Sequence, residues 1–181
     1  QRLADSEFIV NGSLVVAGTA EAPVVLSSSA AAGKAGDWGG IRVESGSLSL
    51  TYANLSYSGY GISVEYLSGA GLVMANIRLT DSGGGIYLIY PSGRQMTLTD
   101  NVIEVATSDW AVQLRSGFNA NHPTTVFSGN TVTNLNGPGV YFYALYSGFT
   151  VAANTVRSLD AGIKLSVAGG QIEVIDNDVL S

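Results

Sequence analysis

The chain has 181 residues, of which 46% are hydrophobic and 12% charged, and its formal net charge at pH 7 is −6. This length suits one domain with a substantial core, and a hydrophobic fraction of this size excludes a disordered chain. The acidic balance argues against a nucleic-acid partner, because phosphate binding needs clustered Lys and Arg and the eight basic residues are scattered.

The composition predicts an all-β protein. Gly contributes 23 residues, and its combination with Ser, Thr, Asn, Val and Tyr favours strands and turns over helices. The absence of Cys excludes disulfides and thiolate metal sites. No apolar run of about 18 residues occurs, so we expect no membrane span. The chain begins with Gln1 rather than Met, which indicates either signal removal or a piece of a longer protein.

The first predicted strands follow a lead-in of residues 1–7. Apolar residues alternate at 8–10, 14–16 and 24–26, which is the period-2 pattern of a strand with one buried side. We expect the first of these strands to close a partial coil, and the other two to belong to the coil that ends at Ile41.

A pair of adjacent residues, a small one followed by an apolar one, then recurs through the chain and is called the Gly-apolar step here. A second apolar residue follows two positions after the first. The apolar members lie 21, 24, 26, 28 and 23 residues apart. Each step predicts a short strand with one side facing a core. The steps begin at Gly40, Gly61, Gly85, Ala111, Gly139 and Gly162.

A second set of equivalent positions, one in each repeat, lies before these steps and consists mainly of asparagines. We call such a set a column. Each asparagine has an apolar residue three places before it and another two places after it. In the two earlier repeats, Asn54 and Asn76 do not fit this spacing but alanines do, and a one-residue slip would move a side chain to the opposite face. The predicted column is Ala53, Ala75, Asn101, Asn130, Asn154 and Asn177.

These columns predict a parallel β-solenoid: a single domain over residues 1–181, with about seven coils and three short strands per coil. Each strand pairs with its copy one coil along the axis, ~4.8 Å away. Stacked Asn amides can hydrogen-bond as a ladder, which satisfies a buried turn. The alternative, a β-sandwich, does not place Asn at one phase of a long period.

The pattern Asn-x-apolar followed by Gly-apolar-x-apolar resembles the right-handed parallel β-helix repeats of the pectin-lyase-like superfamily. The segment GDWGGIRV, residues 36–43, is similar to an opening coil of surface β-helix proteins, and Trp38 within it is expected to be structural. The resemblance covers residues 8–181 and implies the fold rather than one function, since this fold carries lyases, hydrolases, adhesins and inert stalks.

Enzymes of that superfamily bring together carboxylates from adjacent coils, sometimes around Ca²⁺. Asp109 and Asp160 share a phase before the Gly-apolar strand, but they lie two coils apart, ~10 Å. This separation is a poor match to the ~5 Å or ~6.5–9.5 Å of glycoside hydrolases. Ca²⁺ needs 6–8 oxygen ligands in one place, and the sequence groups none. We therefore expect no catalytic residue, metal or cofactor; an enzyme, if it were one, would be a polysaccharide lyase or glycoside hydrolase.

Tyrosines are predicted to point outward from the Gly-apolar strands. Tyr87 and Tyr141 occupy the spacer position between two core residues, and Tyr143 follows at the next outward position. Outward tyrosines offer flat amphipathic surface for sugar rings or for another protein. The alternative is ordinary sheet surface, where Tyr is favoured.

Three further features carry open predictions. The sequons at Asn11 and Asn54 are candidates for glycosylation. The only histidine, His122, lies in the largest excursion from the repeat, residues 115–123, and catalytic use is not expected without a second His or a nucleophile nearby. Regular Thr-x-Thr ranks of the kind that would bind ice do not recur.

We expect a non-enzymatic structural solenoid, secreted or at the cell surface, that stacks into a filament, sheath or stalk. No amphipathic cap is apparent at either end of the repeat, few residues are charged, and uncapped solenoid ends favour head-to-tail contacts. Its partners would be copies of itself or an adjoining surface protein. A carbohydrate-binding or carbohydrate-processing module is the alternative, and an excerpt from a longer β-helix would explain the missing caps equally well.

Overall fold

A computed structural model describes residues 6–89, 94–115, 124–145, 148–167 and 169–180. These residues form nineteen β-strands and no helix, so none of them forms a helix that could span a membrane. Every strand pairing is parallel, and most are continuous in register. The strands are β1 (Phe8–Ala17), β2 (Val24–Leu26), β3 (Trp38–Thr51), β4 (Ala53–Ser56), β5 (Ser58–Val64), β6 (Leu67–Ala75), β7 (Arg78–Ser82), β8 (Ile86–Ile89), β9 (Met96–Thr99), β10 (Val102–Val105), β11 (Val112–Arg115), β12 (Thr125–Ser128), β13 (Thr131–Asn134), β14 (Val140–Leu145), β15 (Phe149–Ala152), β16 (Thr155–Ser158), β17 (Ile163–Val167), β18 (Ile172–Ile175) and β19 (Asp178–Leu180).

The strands wind into a solenoid with three faces. The first face contains the later parts of β1 and β3, then β6, β9, β12, β15 and β18, and the second face is the seven-stranded sheet from β2 to β19. The third face contains the early parts of β1 and β3, then β5, β8, β11, β14 and β17. Because β3 contributes to two faces, the first and third faces are joined into one twelve-stranded sheet.

The regular part of the solenoid has about five coils. They are the later part of β3 with β4 and β5, then β6–β8, β9–β11, β12–β14 and β15–β17. Strands β1, β2, β18 and β19 belong to the windings at the two ends, and the predicted number of about seven counts these as well. The predicted parallel β-solenoid with three strands per coil is confirmed.

The core runs along the solenoid axis, because alternate residues of each strand point inward. In β9 and β12, for example, the burial alternates between buried and half-buried positions. Three phenylalanines fill the interior in its later half: the ring centroids of Phe127 and Phe142 lie 5.1 Å apart, and those of Phe142 and Phe149 lie 4.9 Å apart. Deep burial of large side chains from successive coils supplies the hydrophobic stabilisation that one coil lacks.

The glycine of the Gly-apolar step is required by the close approach of neighbouring coils. A Cβ at Gly85 would lie 1.8 Å from the carbonyl oxygen of Ala111 in the next coil, and one at Gly139 would lie 2.5 Å from that of Gly162. The same Ala111 oxygen accepts a hydrogen bond from the backbone N–H of Ile86 at 2.9 Å. The backbone therefore leaves no room for a side chain at these two positions.

A left-handed residue turns the chain from the first face to the second in each coil. Its φ lies between 48° and 67° in the six coils where it occurs. This conformation costs little for Gly, Asn and Asp and more for other residues. The corner residues are Tyr52, Asn76, Asp100, Gly129, Ala153 and Asp176.

The residue after each corner occupies the ladder column, and in the last four coils it is the predicted asparagine. Asn101, Asn130 and Asn154 each donate from Nδ2 to the Oδ1 of the asparagine in the next coil, at 2.8–2.9 Å, and Asn177 ends the series. The same amides also donate back to the carbonyl oxygen three residues before the equivalent position in the preceding coil, as Asn130 does to Leu98. The ladder satisfies buried corner groups that an isolated amide could not.

One position of the predicted column is wrong. The ladder residue of the third repeat is Ile77 and not Ala75, because Ala75 pairs with Thr99, two residues before Asn101. The backbone N–H of Ile77 donates to Oδ1 of Asn101 at 3.1 Å, which is the bond that the asparagines make between themselves. Ala53 is correctly placed, since its neighbour Asn54 pairs with Arg78.

Candidate functional site

The third face carries two of the three predicted tyrosines in one outward column, and Tyr143 lies two positions after Tyr141 on the same strand. Hydrogen-bonded pairing places the residues of this column side by side along the axis, each in the next coil. Five strand spacings of ~4.8 Å make the column about 24 Å long. Its members are Arg42, Ser63, Tyr87, Gln113, Tyr141 and Lys164.

An aromatic cluster occupies the later half of this column. The rings of Trp110 and Tyr141 have centroids 5.0 Å apart and are tilted by 34°, and Tyr143 meets Tyr141 edge-on at 6.0 Å. The ammonium group of Lys164 lies 5.0 Å from the centroid of the Tyr141 ring, a cation–π distance. Tyr143 is 40% exposed, while Trp110 and Tyr141 are partly buried against each other. The cluster presents aromatic surface with a positive charge at its edge.

Trp110 is the member that the sequence analysis missed. It lies between β10 and β11, just before the small-residue step at Ala111, and a loop position has no periodic signal. The backbone N–H of Trp110 donates to Oδ1 of Asp109 at 2.8 Å, which fixes the turn that presents the indole. A large aromatic residue in a short inter-strand turn is the only sequence signal that would have pointed to it.

Tyr87 lies in the column but is less available than predicted. Burial raises the pKa of its phenol to about 12, with a further contribution from the negative charge of Asp109, while a hydrogen bond with Thr107 acts in the opposite direction. A half-buried phenol with these neighbours contributes to packing as well as to the surface.

The other end of the column holds a charged cluster. Arg42 forms ion pairs with Glu7 at 3.0 Å and with Glu44 at 3.5 Å, and the hydroxyl of Tyr60 donates a short hydrogen bond to Glu7. Burial and this bond to Glu7 raise the pKa of Tyr60 well above its ordinary value. A cavity of about 350 Å³ opens between this cluster and Tyr87. The third face thus offers polar groups at one end and aromatic rings at the other.

Asp109 and Asp160 are not brought together. Asp109 precedes β11 and Asp160 precedes β17, with β14 between these strands, which places the two residues two coils apart. Asp109 uses its carboxylate in the turn described above, and the backbone oxygen of Asp160 accepts a hydrogen bond from Ser158. Within the described ranges, no three or more His, Asp or Glu side chains are grouped to hold a metal ion.

The remaining predicted residues lie apart from the third-face column. Trp38 is buried, donates from its indole N–H to the carbonyl oxygen of Ser56 at 2.8 Å and packs edge-on against Phe8. Asn11 is exposed and donates to Glu44, whereas Asn54 is half-buried on β4 and points away from the ladder. His122 lies outside the residues that the structure describes.

Buried polar side chains, which the sequence pattern did not predict, support the turns between the second and third faces on either side of Val105. The hydroxyl of Ser58 donates to that of Ser82 at 2.8 Å. Two coils on, Nδ2 of Asn134 donates to the carbonyl oxygens of Asp109 and Pro138, both at 2.8 Å. Asn134 thereby fixes the turn that carries Trp110.

A wide groove of about 840 Å³ lies over the second face. Its floor contains the exposed ion pair of Arg78 and Glu104, with an N–O distance of 2.7 Å, and Lys34 and Asp81 stand at its walls. The two signs of charge are balanced there, so the groove favours no ligand charge.

Comparison with known proteins gives one result on the family. A family model described as a right-handed beta helix region matches residues 26–179, which is most of the chain. Neither the comparison with curated proteins nor that with solved structures gave a significant match.

Proposed function

The chain belongs to the right-handed β-helix family, as the resemblance implied, and from this premise we propose that it is a non-enzymatic structural solenoid of an extracellular assembly. Such an assembly would be a filament, sheath or stalk at the cell surface, with copies of the chain or an adjoining surface protein as partners. The resemblance to surface β-helix proteins motivates the location.

The observation that carries this proposal is the continuity of the rod. Each coil is bonded to the next on all three faces, and the amide ladder links four successive coils from Asn101 to Asn177. Large side chains, such as Phe127 and Phe142, fill the interior. A rod of this kind resists bending and local opening, because each coil loses hydrogen bonds on both sides when it opens.

The experiment is a concentration series of the isolated chain by analytical ultracentrifugation, with negative-stain electron microscopy of the most concentrated sample. We expect association that increases with concentration, and elongated particles. A chain that stays monomeric and well behaved up to about 1 mM, where even weak protein contacts are populated, would contradict the proposal.

Carbohydrate binding on the third face is a second candidate, and the aromatic cluster favours it. Aromatic rings stack on the apolar faces of sugars, and the rings of Trp110, Tyr141 and Tyr143 stand together there. Polar and charged groups for sugar hydroxyls follow along the same column at Gln113 and Arg42.

A glycan array with single alanine variants tests this candidate. Loss of binding in Trp110→Ala and Tyr141→Ala, with binding retained in Tyr66→Ala, would support it. Tyr66 is a suitable control because it is 56% exposed and lies beyond β5, three strands away from β14 on the third face. Absence of binding to every neutral and acidic glycan would remove the candidate.

A further inference from the structure

The first face differs from the other two in the chemistry of its outward side chains. Strand pairing aligns two outward columns along it, and both consist almost entirely of short uncharged residues. The first column is Val15, Ser49, Val73, Thr97, Val126, Thr150 and Glu173. The second column is Ala17, Thr51, Ala75, Thr99, Ser128, Ala152 and Ile175.

Among the described residues, these two columns carry no charge over six consecutive strands, since only Glu173, on the last strand, is charged. The corresponding outward positions of the other two faces carry charged residues, with both signs on the second face and cations on the third. On the second face these are Arg78, Glu104 and Arg157, and on the third face they are Arg42, Arg115 and Lys164. Solvent-facing sheet surfaces ordinarily carry such residues, because charge keeps a sheet apart from other sheets.

We propose that the first face pairs with the first face of a second copy of this chain, sheet against sheet. This inference rests on the proposed function and names the surface through which two copies pair side by side within the assembly. The pair would be isologous, so each uncharged column meets an uncharged column of the partner.

The chemistry of the face selects this occupant. The chain has a net charge of −6, so two copies meet with the least repulsion through a surface that carries no charge itself. The side chains of Thr97, Val126 and Thr150 are short and half-buried, which allows two sheets to approach to the ~10 Å of a sheet sandwich. The two columns hold no aromatic ring for a sugar and no cation for an acidic partner.

The size of the face predicts a weak pair. Seven strands with two outward residues each cover roughly 30 Å by 15 Å. Two such faces bury on the order of 1,000 Å² in total, which is near the lower limit for a specific interface. We therefore expect a monomer–dimer equilibrium that depends on concentration.

The test introduces charge on one face at a time. Thr97→Lys with Val126→Lys places two charges on the first face, and Thr131→Lys with Thr133→Lys places the same charges on outward positions of the second face. Sedimentation equilibrium is measured from about 10 μM to about 1 mM, the range in which weak interfaces dissociate. We expect the first variant to remain monomeric and the control to associate like the wild-type chain, with circular dichroism spectra and thermal unfolding curves verifying that all three are folded.

Cross-linking gives a second readout that does not depend on a folded lysine variant. Thr97 is the fourth of seven residues in the first column, so it lies at the centre of the face and meets its own copy in a twofold pair. The chain contains no Cys, so Thr97→Cys provides one unique thiol. We expect a short bis-maleimide to link Thr97→Cys into dimers and to leave Thr131→Cys monomeric.

The outcomes separate this inference from the proposed function. If the wild-type chain associates and the Thr97→Lys, Val126→Lys variant associates equally, the first face is not the interface, and only the present inference is overturned. Equal loss of association in the second-face control would overturn it as well. A wild-type chain that remains monomeric would overturn both.

Discussion

Oδ1 of Asn154 accepts two hydrogen bonds from Asn130, one from the side-chain Nδ2 and one from the backbone N–H, both at 2.9 Å. The side-chain amide of each asparagine therefore holds both the corner and the side chain of the coil before it. Both hydrogen bonds are buried, so replacement of one asparagine affects two coils.

The variant Asn130→Ala is expected to destabilise the protein by about 3–5 kcal/mol, because the N–H groups of Asn101 lose a shared acceptor and Leu98 loses a donor. A loss of this size lowers the melting temperature by roughly 10 °C in a chain of this length. The control is Asn136→Ala, which removes an exposed side chain that donates one hydrogen bond, to the carbonyl oxygen of Ala106. Thermal unfolding followed by circular dichroism measures both, and equal shifts would contradict the role given to the ladder.

Gly85→Ala is expected to destabilise the protein by about 2–4 kcal/mol. The new Cβ would displace the Ala111 carbonyl and weaken its hydrogen bond with Ile86. Gly12→Ala is the matched control, since a Cβ at Gly12 meets nothing within 4 Å. Chemical denaturation of the two variants should show a large shift for Gly85→Ala and a change within about 1 kcal/mol for Gly12→Ala.

Stability is expected to fall between about pH 10 and pH 12. The folded-state pKa of Tyr87 is raised to about 12, whereas a phenol in the unfolded chain titrates near 10. The neutral phenol is favoured in the folded state, so its stabilising contribution is complete below pH 10 and is lost as the pH rises toward 12. Tyr60 acts in the same direction.

Denaturant unfolding at pH 9, 10.5 and 11.5 measures this loss, and the absorbance of phenolate records the titration itself. Tyr87→Phe should remove a late step of the absorbance titration and make the fall of stability with pH less steep. A titration of the wild-type chain that is complete by pH 10.5 would contradict the burial of this side chain.

The two tryptophans are expected to respond differently to a quencher. Trp38 is 8% exposed and its indole N–H is bonded to Ser56, whereas Trp110 is half-buried at the surface of the third face. Acrylamide should therefore quench Trp110 and spare Trp38. In Trp110→Phe the remaining fluorescence should resist quenching, and in Trp38→Phe it should be quenched more strongly than in the wild-type chain.

The fold could be predicted from the sequence because two independent patterns in the sequence indicate it. The period-2 pattern identifies the strands, and the long period identifies which strands are copies. The ladder residue of the third repeat shows the limit of this reasoning: Ala75 and Ile77 both have apolar residues at the required spacings, and a shift of two keeps the same face. Only the pairing of Ala75 with Thr99 decides between them.

The candidate site was less predictable, because it depends on contacts between coils. The outward direction of Tyr87 and Tyr141 follows from strand alternation, and both lie in the third-face column. The contact between Trp110 and Tyr141 joins a turn of one coil to a strand of the next, and no spacing along the chain encodes it. The uncharged first face likewise becomes visible only when the strand register is known.

The corner residues have a consequence for how such a chain can change in length. Gly129 and Ala153 share a left-handed conformation, and the asparagine after each has the same bonds to its neighbours. Excision of residues 130–153 would join Gly129 directly to Asn154, with every later side chain still facing inward or outward as before. The extent of the rod can thus be adjusted in whole windings, without redesign of the coils that remain.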